Sequence, residues 1–140
     1  NRATCRGFAF AETVAQLFLD AAQLVHGVDR SFRRLTRRFF HDDNGKAYGE
    51  LESGATRLAF ASVALATEHL KQPVVVAAPD KTPLGVEIAL TTSDVPALFE
   101  RAVKAGATAV SAPATKPWGQ TVAYVRDNCG FLVELCTPLP

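Results

Sequence analysis

One order of elements, strand–helix–strand–strand–strand, can be traced twice along this chain, and that duplication limits its fold more than any single segment. The C-terminal half states it more clearly. Leu84 to Thr91 is β-branched, aliphatic and almost continuously apolar, and reads as a strand. Thr92-Ser93-Asp94 supplies capping side chains, with Asp94 or Ser93 as N-cap, and Pro96 suits the first helical turn. Val95, Leu98, Phe99, Ala102 and Val103 recur at helical spacing and form one apolar stripe. Ala105-Gly106-Ala107 ends that helix, because glycine accepts the left-handed conformation at a helix C-terminus. Ala107 to Ser111, Thr121 to Arg126 and Phe131 to Cys136 read as three strands, with Asp127-Asn128-Cys129-Gly130 as a turn between the last two.

The N-terminal half can be laid over this order. Gly7 to Ala11 is a short apolar stretch, and Val14, Leu17, Phe18, Ala21 and Ala22 form a helical stripe. Val14-Ala15-Gln16-Leu17-Phe18 matches Val95-Pro96-Ala97-Leu98-Phe99 at three of five positions, 81 residues apart. Thr36 to His41, Ala47 to Glu52 and Thr56 to Ser62 read as strands, joined by turns at Asp43-Asn44-Gly45 and Ser53-Gly54. His26 to Leu35 breaks the pattern and reads as a loop or a helix extension. Residues 63–83 link the halves, helical over Val63 to Leu70, extended over Pro73 to Ala78 and turning at Pro79 to Pro83. Internal repetition takes precedence over local assignments. The expected fold is therefore α+β: two βαβββ repeats, residues 1–62 and 84–140, forming a curved eight-stranded mixed sheet with helices outside. All 140 residues then make one domain. Strand residues alternate between a helix-packed face and a concave face, and the concave face is a natural place for a small molecule.

Composition excludes several function classes. Hydrophobic residues make up 48% and charged residues 21%, so the chain can bury a core and is not disordered throughout. A net charge of +1 calls for neither an acidic nor a basic partner. Arg30, Arg33, Arg34, Arg37 and Arg38 do cluster, but no stacking or groove-reading motif accompanies them, so they read as a solvated surface rather than a nucleic-acid site. No segment reaches the ~18 consecutive apolar residues of a membrane span. Asn1 to Arg6 lacks the pattern of a secretory signal. Cys5, Cys129 and Cys136 are too few and too irregular for a disulfide framework and read as reduced thiols of a cytoplasmic protein.

Three stretches carry a resemblance to a known family. They are Glu87 to Val95, Lys116-Pro117-Trp118-Gly119-Gln120 through Asp127, and Gly130-Phe131-Leu132-Val133-Glu134-Leu135. All three closely resemble the glyoxalase/bleomycin-resistance/dioxygenase superfamily, also called vicinal oxygen chelate. Gly49 to Gly54 through Phe60-Ala61-Ser62 looks like the same family's first-unit hairpin. The match is specific from about Thr36 onward. It is poor over residues 1–35, where the family's helix motif is absent. In members that use a metal, the first and last strands of each unit supply His or Gln, Glu, His and Glu. Carried over residue by residue, those positions fall here on Gly7, Ala59, Glu87 and Glu134. Glycine and alanine offer no side-chain ligand, and neither remaining group is a histidine. The resemblance therefore implies no metal site for zinc, nickel or iron and no cofactor; only a hard, hydrated ion such as Mg²⁺ or Mn²⁺ stays conceivable.

Candidate pocket residues are Glu87, Glu134, Trp118 and Tyr124. If Glu87 and Glu134 share the concave face, they could share a proton, bind a cation or act as a general base, with Glu87 opposite Glu134. Either could instead pair with Arg126 or Lys116 as a structural ion pair. Trp118 and Tyr124 are aromatics of the kind that line ligand sites, and Trp118 could as readily cap the core. His26, His41 and His69 read as surface residues. No Ser, His or Cys constellation supports nucleophilic catalysis, and no catalytic residue can be assigned. Two readings follow: a metal-independent binder of a small organic molecule, or a glyoxalase-like lyase, isomerase or dioxygenase-related enzyme. A binder of cationic glycopeptides would be expected to be acidic, and this chain is near neutral. The family resemblance and the commonness of C2 assemblies together imply a homodimer.

Overall fold

The structure, a computed structural model, describes residues 36–52, 57–127 and 129–139. The apolar stretch from Gly7, the helical stripe from Val14, the Arg-rich segment before residue 36 and the Ser53-Gly54 turn lie outside the described residues. The described chain falls into two compact units, residues 36–76 and 77–139.

In the first unit β1 (Thr36–Asp43), β2 (Lys46–Glu52) and β3 (Leu58–Ala61) form an antiparallel sheet in the order β1-β2-β3. The β1–β2 hairpin closes on Asn44 and Gly45, with φ of 50° and 85°, the left-handed pair a two-residue loop requires. Asp42 Oδ1 accepts from Gly45 N at 2.8 Å and steadies the turn. Along β2, Ala47, Gly49 and Leu51 are buried while Tyr48 and Glu50 lie on the other face. Ser62 then caps helix α1 (Val63–Leu70): its hydroxyl accepts from Leu65 N at 3.3 Å and also from Ala47 N at 3.0 Å. That double acceptance ties the helix start to β2. Val63 to Leu70, expected to be helical, is so, and it belongs with the first unit.

The second unit has the full βαβββ order. It comprises β4 (Glu87–Thr91), α2 (Val95–Lys104), β5 (Thr108–Thr115), β6 (Thr121–Arg126) and β7 (Leu132–Cys136). The sheet order is β4-β7-β6-β5, with β4 parallel to β7 and the other pairs antiparallel. Asp94 caps α2 by accepting from Ala97 N at 3.0 Å, Pro96 sits in the first turn, and Gly106 follows the helix with φ of 109°. One face of the sheet packs on the helix: Leu90, Val95, Leu98, Ala123, Val125, Val133 and Leu135 form the core, with Ile88, Phe99 and Ala102 around them. The alternation places Val133 and Leu135 on this face and Leu132 and Glu134 on the other.

The two largest shifts from the expected boundaries are in β4 and β5. β4 begins at Glu87 rather than Leu84, because its partner β7 begins opposite it at Leu132. β5 continues to Thr115 instead of stopping at Ser111. Pro113 is tolerated because β5 is an edge strand of this sheet, and the register shifts around Ser111 absorb it. At the start of the second unit Ala77 is buried, and the Arg126 guanidinium gathers the following carbonyls. Nη2 donates to Ala78 O at 2.7 Å and Nη1 to Lys81 O at 2.6 Å and Pro79 O at 3.3 Å, while Nε and Nη2 hold Gly130 O at 3.2 and 2.9 Å. The two units together hold sheets of three and four strands among the described residues.

Candidate functional site

β4, β7 and β6 lie side by side, so their outward residues form one open face of the second unit. Pairing on the β6–β7 hairpin sets Tyr124 directly across from Glu134. The phenol donates to Glu134 Oε2 at 2.7 Å, the length of a charge-assisted bond. The parallel pair β4–β7 sets Ala89 opposite Glu134 and Glu87 opposite Leu132. Glu87 is therefore a diagonal neighbour of Glu134, not its direct opposite as expected, yet it stays within hydrogen-bonding reach. Two residues further along β7, the buried Cys136 thiol also engages Glu134 and is bonded with Thr91 on β4.

The electrostatics follow from this crowding. Loss of solvation, then repulsion from Glu134 and the shared hydrogen bond, hold the Glu87 carboxyl above its usual range. Donation to Glu134, helped by desolvation, pushes the Tyr124 phenol up to about 12. Burial first, then the nearby carboxylate, pushes the Cys136 thiol up to about 11. Both groups thus stay protonated at neutral pH and act as donors. Among the described residues no Lys, Arg or His pairs with Glu87 or Glu134; the two ion pairs present are Lys46–Glu68 and Arg57–Glu50. Arg126, weighed as a salt-bridge partner, spends its donors on backbone carbonyls instead.

Trp118 stands apart. It lies in the turn between β5 and β6, 56% exposed, and its indole N–H donates to Gln120 Oε1 at 3.0 Å. That turn begins three residues from Tyr124, about 10 Å of strand. The structure thus brings Glu87, Glu134 and Tyr124 together and leaves Trp118 at the end of the sheet. Sequence reasoning passed over Cys136 and Thr91, although alternation from Glu134 and Glu87 would have found them. It also named Tyr124 and Glu134 without pairing them, although counting outward from the Asp127–Gly130 turn gives that register.

The first unit carries a related pair. Tyr48 Oη donates to Glu50 Oε1 at 2.8 Å, Arg57 Nη1 lies 3.8 Å from the same oxygen, and the Phe39 ring meets Tyr48 with centroids 6.3 Å apart. Glu50 faces Ala59 across the β2–β3 pair, as Tyr124 faces Glu134 across β6–β7. The first unit's acid thus lies on β2, one strand over from the position the repeat assigns to it.

As a metal site this donor set fits poorly. Glu87 and Glu134 are accompanied by a phenol and a protonated thiol, and no imidazole joins them among the described residues. No group of three or more His, Cys, Asp or Glu side chains is placed to hold an ion among the described residues. Carboxylates without imidazole or thiolate do not match the preferences of zinc, nickel or iron.

A βαβββ unit with an acid–phenol cluster on its open face, together with a separate three-stranded sheet in the first unit, defines an α+β protein. A model of the Glyoxalase/Bleomycin resistance protein/Dioxygenase superfamily matches residues 23–135, most of the chain, and the protein belongs to that superfamily. Solved structures agree at the level of fold. A glyoxalase-related enzyme from Fulvimarina pelagi is similar with a TM-score of 0.60 and 21% identity, over 86% of this chain and 80% of that one. A hypothetical protein from S. aureus gives 0.61 and 17%, over 91% and 85%. A superfamily member from Sphaerobacter thermophilus gives 0.54 and 18%, over 88% and 87%. No curated protein matches the sequence significantly. No helix among the described residues is long and apolar enough to cross a membrane.

Proposed function

We propose that this chain is a metal-independent small-molecule-binding protein of the superfamily, and that the open face of β4, β6 and β7 contacts the bound molecule through Glu87, Glu134 and Tyr124. One observation carries the reading. Glu134 is a half-buried carboxyl that holds the Tyr124 phenol, has Glu87 and Cys136 beside it, and pairs with no cation among the described residues. A partly desolvated anion without a counter-charge is costly, and a hydrogen-bond donor or organic cation from solution offsets that cost. Trp118, exposed at the end of the same sheet, is the candidate for a stacking contact. The curved eight-stranded sheet, the homodimer and the cytoplasmic location expected from the sequence belong to this proposal. A second reading, acid–base catalysis of a glyoxalase-like lyase or isomerase or dioxygenase-related kind, is favoured by the raised Glu87 carboxyl beside Glu134, two carboxyls placed to share a proton.

The test is a ligand-observed NMR screen of small organic ammonium ions and neutral hydrogen-bond donors, run in excess chelator against the wild type and Glu134→Gln. Binders retained by the wild type and lost in the variant support the reading. Binders that ignore the substitution would sink it.

A further inference from the structure

The carboxylate that falls on the family's last metal-ligand position is already occupied by one of the chain's own donors, the Tyr124 phenol at 2.7 Å. We infer that Tyr124 hinders divalent cations at Glu134, standing on Oε2, one of the two oxygens through which an ion would bind. The inference rests on the metal-independent reading but can fail separately from it.

A carboxylate offers about four lone-pair positions. Tyr124 takes one on Oε2 at 2.7 Å, and Glu87 and Cys136 lie within reach of the same group. An ion held by both carboxylate oxygens must displace the phenol from Oε2. Among the described residues no third His, Cys, Asp or Glu is placed to join Glu87 and Glu134 on that ion. The phenol cannot move aside without losing its partner. Tyr124 sits mid-strand on β6, fixed across from Glu134 by ladder pairs on both sides, Ala123 with Leu135 and Val125 with Val133.

The opposite role is equally concrete: outer hydrogen bonds often orient a metal-ligating carboxylate and strengthen its affinity. The two roles differ in sign. Mn²⁺ alone is titrated by calorimetry and electron paramagnetic resonance into the wild type, Tyr124→Phe, and both backgrounds carrying Glu134→Gln. The two Glu134→Gln proteins define the affinity that does not depend on Glu134. Far-UV circular dichroism and a melt of Tyr124→Phe confirm that removing one hydroxyl leaves the fold in place. If that variant is unstable, Cys136→Ala removes a different donor and should show a smaller gain in the same direction. The expected result is Glu134-dependent Mn²⁺ binding about tenfold or more tighter in Tyr124→Phe than in the wild type, a difference of about 1.4 kcal/mol. Equal or weaker binding in Tyr124→Phe would overturn the inference and leave the metal-independent reading standing. Tight, Glu134-dependent binding by the wild type itself would overturn that reading.

Discussion

Replacing Arg126 with alanine should cost the protein much of its stability, because one side chain fastens the opening segment of the second unit to that unit's sheet. Its guanidinium makes five hydrogen bonds to four main-chain carbonyls, those of Ala78, Pro79, Lys81 and Gly130. The bonds to Pro79 and Lys81 are exposed and contribute little, while those to Ala78 and Gly130 are part-buried. A hydrogen bond from a charged group is worth about 1.5–3 kcal/mol, so two such acceptors, discounted for partial exposure, give about 3 kcal/mol. For a chain of this length that corresponds to a fall in Tm of about 10 °C. Urea and thermal melts measure it, and hydrogen exchange at residues 77–81 should accelerate more than exchange in β6. Arg126→Lys keeps the charge but loses the planar fork, and one ammonium cannot span these carbonyls, so it should recover less than half. A loss below about 1 kcal/mol in the alanine variant, or full recovery by lysine, would refute the reasoning.

Gly130→Ala attacks the same strap from the other side. At φ +90° the new Cβ would lie 2.3 Å from the carbonyl carbon of Ala78, so stability should fall by about 3 kcal/mol or more in a urea melt. Glu87→Gln should act with pH. The folded carboxyl holds its proton above the ordinary value of 4.5, so its stabilising share is present below that value and lost as pH rises through the folded one. The variant should therefore melt higher than the wild type at about pH 7.5 and show no gain at about pH 4; a gain at both would remove the repulsion from the account. Cys136, buried with its thiol up at about 11, should resist thiol reagents at neutral pH until the protein is denatured. Rapid labelling of native Cys136, located by mass spectrometry, would contradict its assignment as a donor to Glu134.

What could be read in advance followed local rules. Asp94, Pro96 and Gly106 marked α2 because capping and glycine chemistry act within a few residues, and β6 ended where Asp127 begins its turn. Ser62 hid its role, since one of its two acceptances reaches back fifteen residues to Ala47. The strap was illegible for the same reason: Arg126 reaches partners 45 to 48 residues away, and nothing near it in sequence marks them. The acid pair was legible in its residues but not in its register. A strand reading gives the face of Glu87 and Glu134, while their diagonal offset depends on how the parallel β4–β7 pair aligns. Trp118 was named for its chemistry alone, and residue type says nothing about a turn that carries the indole to the end of the sheet.

The central claim is that small molecules meet the open face of the second unit without a metal. Protein-observed NMR of the wild type in excess chelator, titrated with the organic ammonium ions and neutral donors retained from the screen, tests it most directly. The account predicts saturable shifts concentrated on Glu87, Thr91, Tyr124, Glu134 and Cys136, absent in Glu134→Gln. Shifts that appear only after a divalent metal is added, or that map to the helix-packed face around Leu98 and Val125, would contradict it.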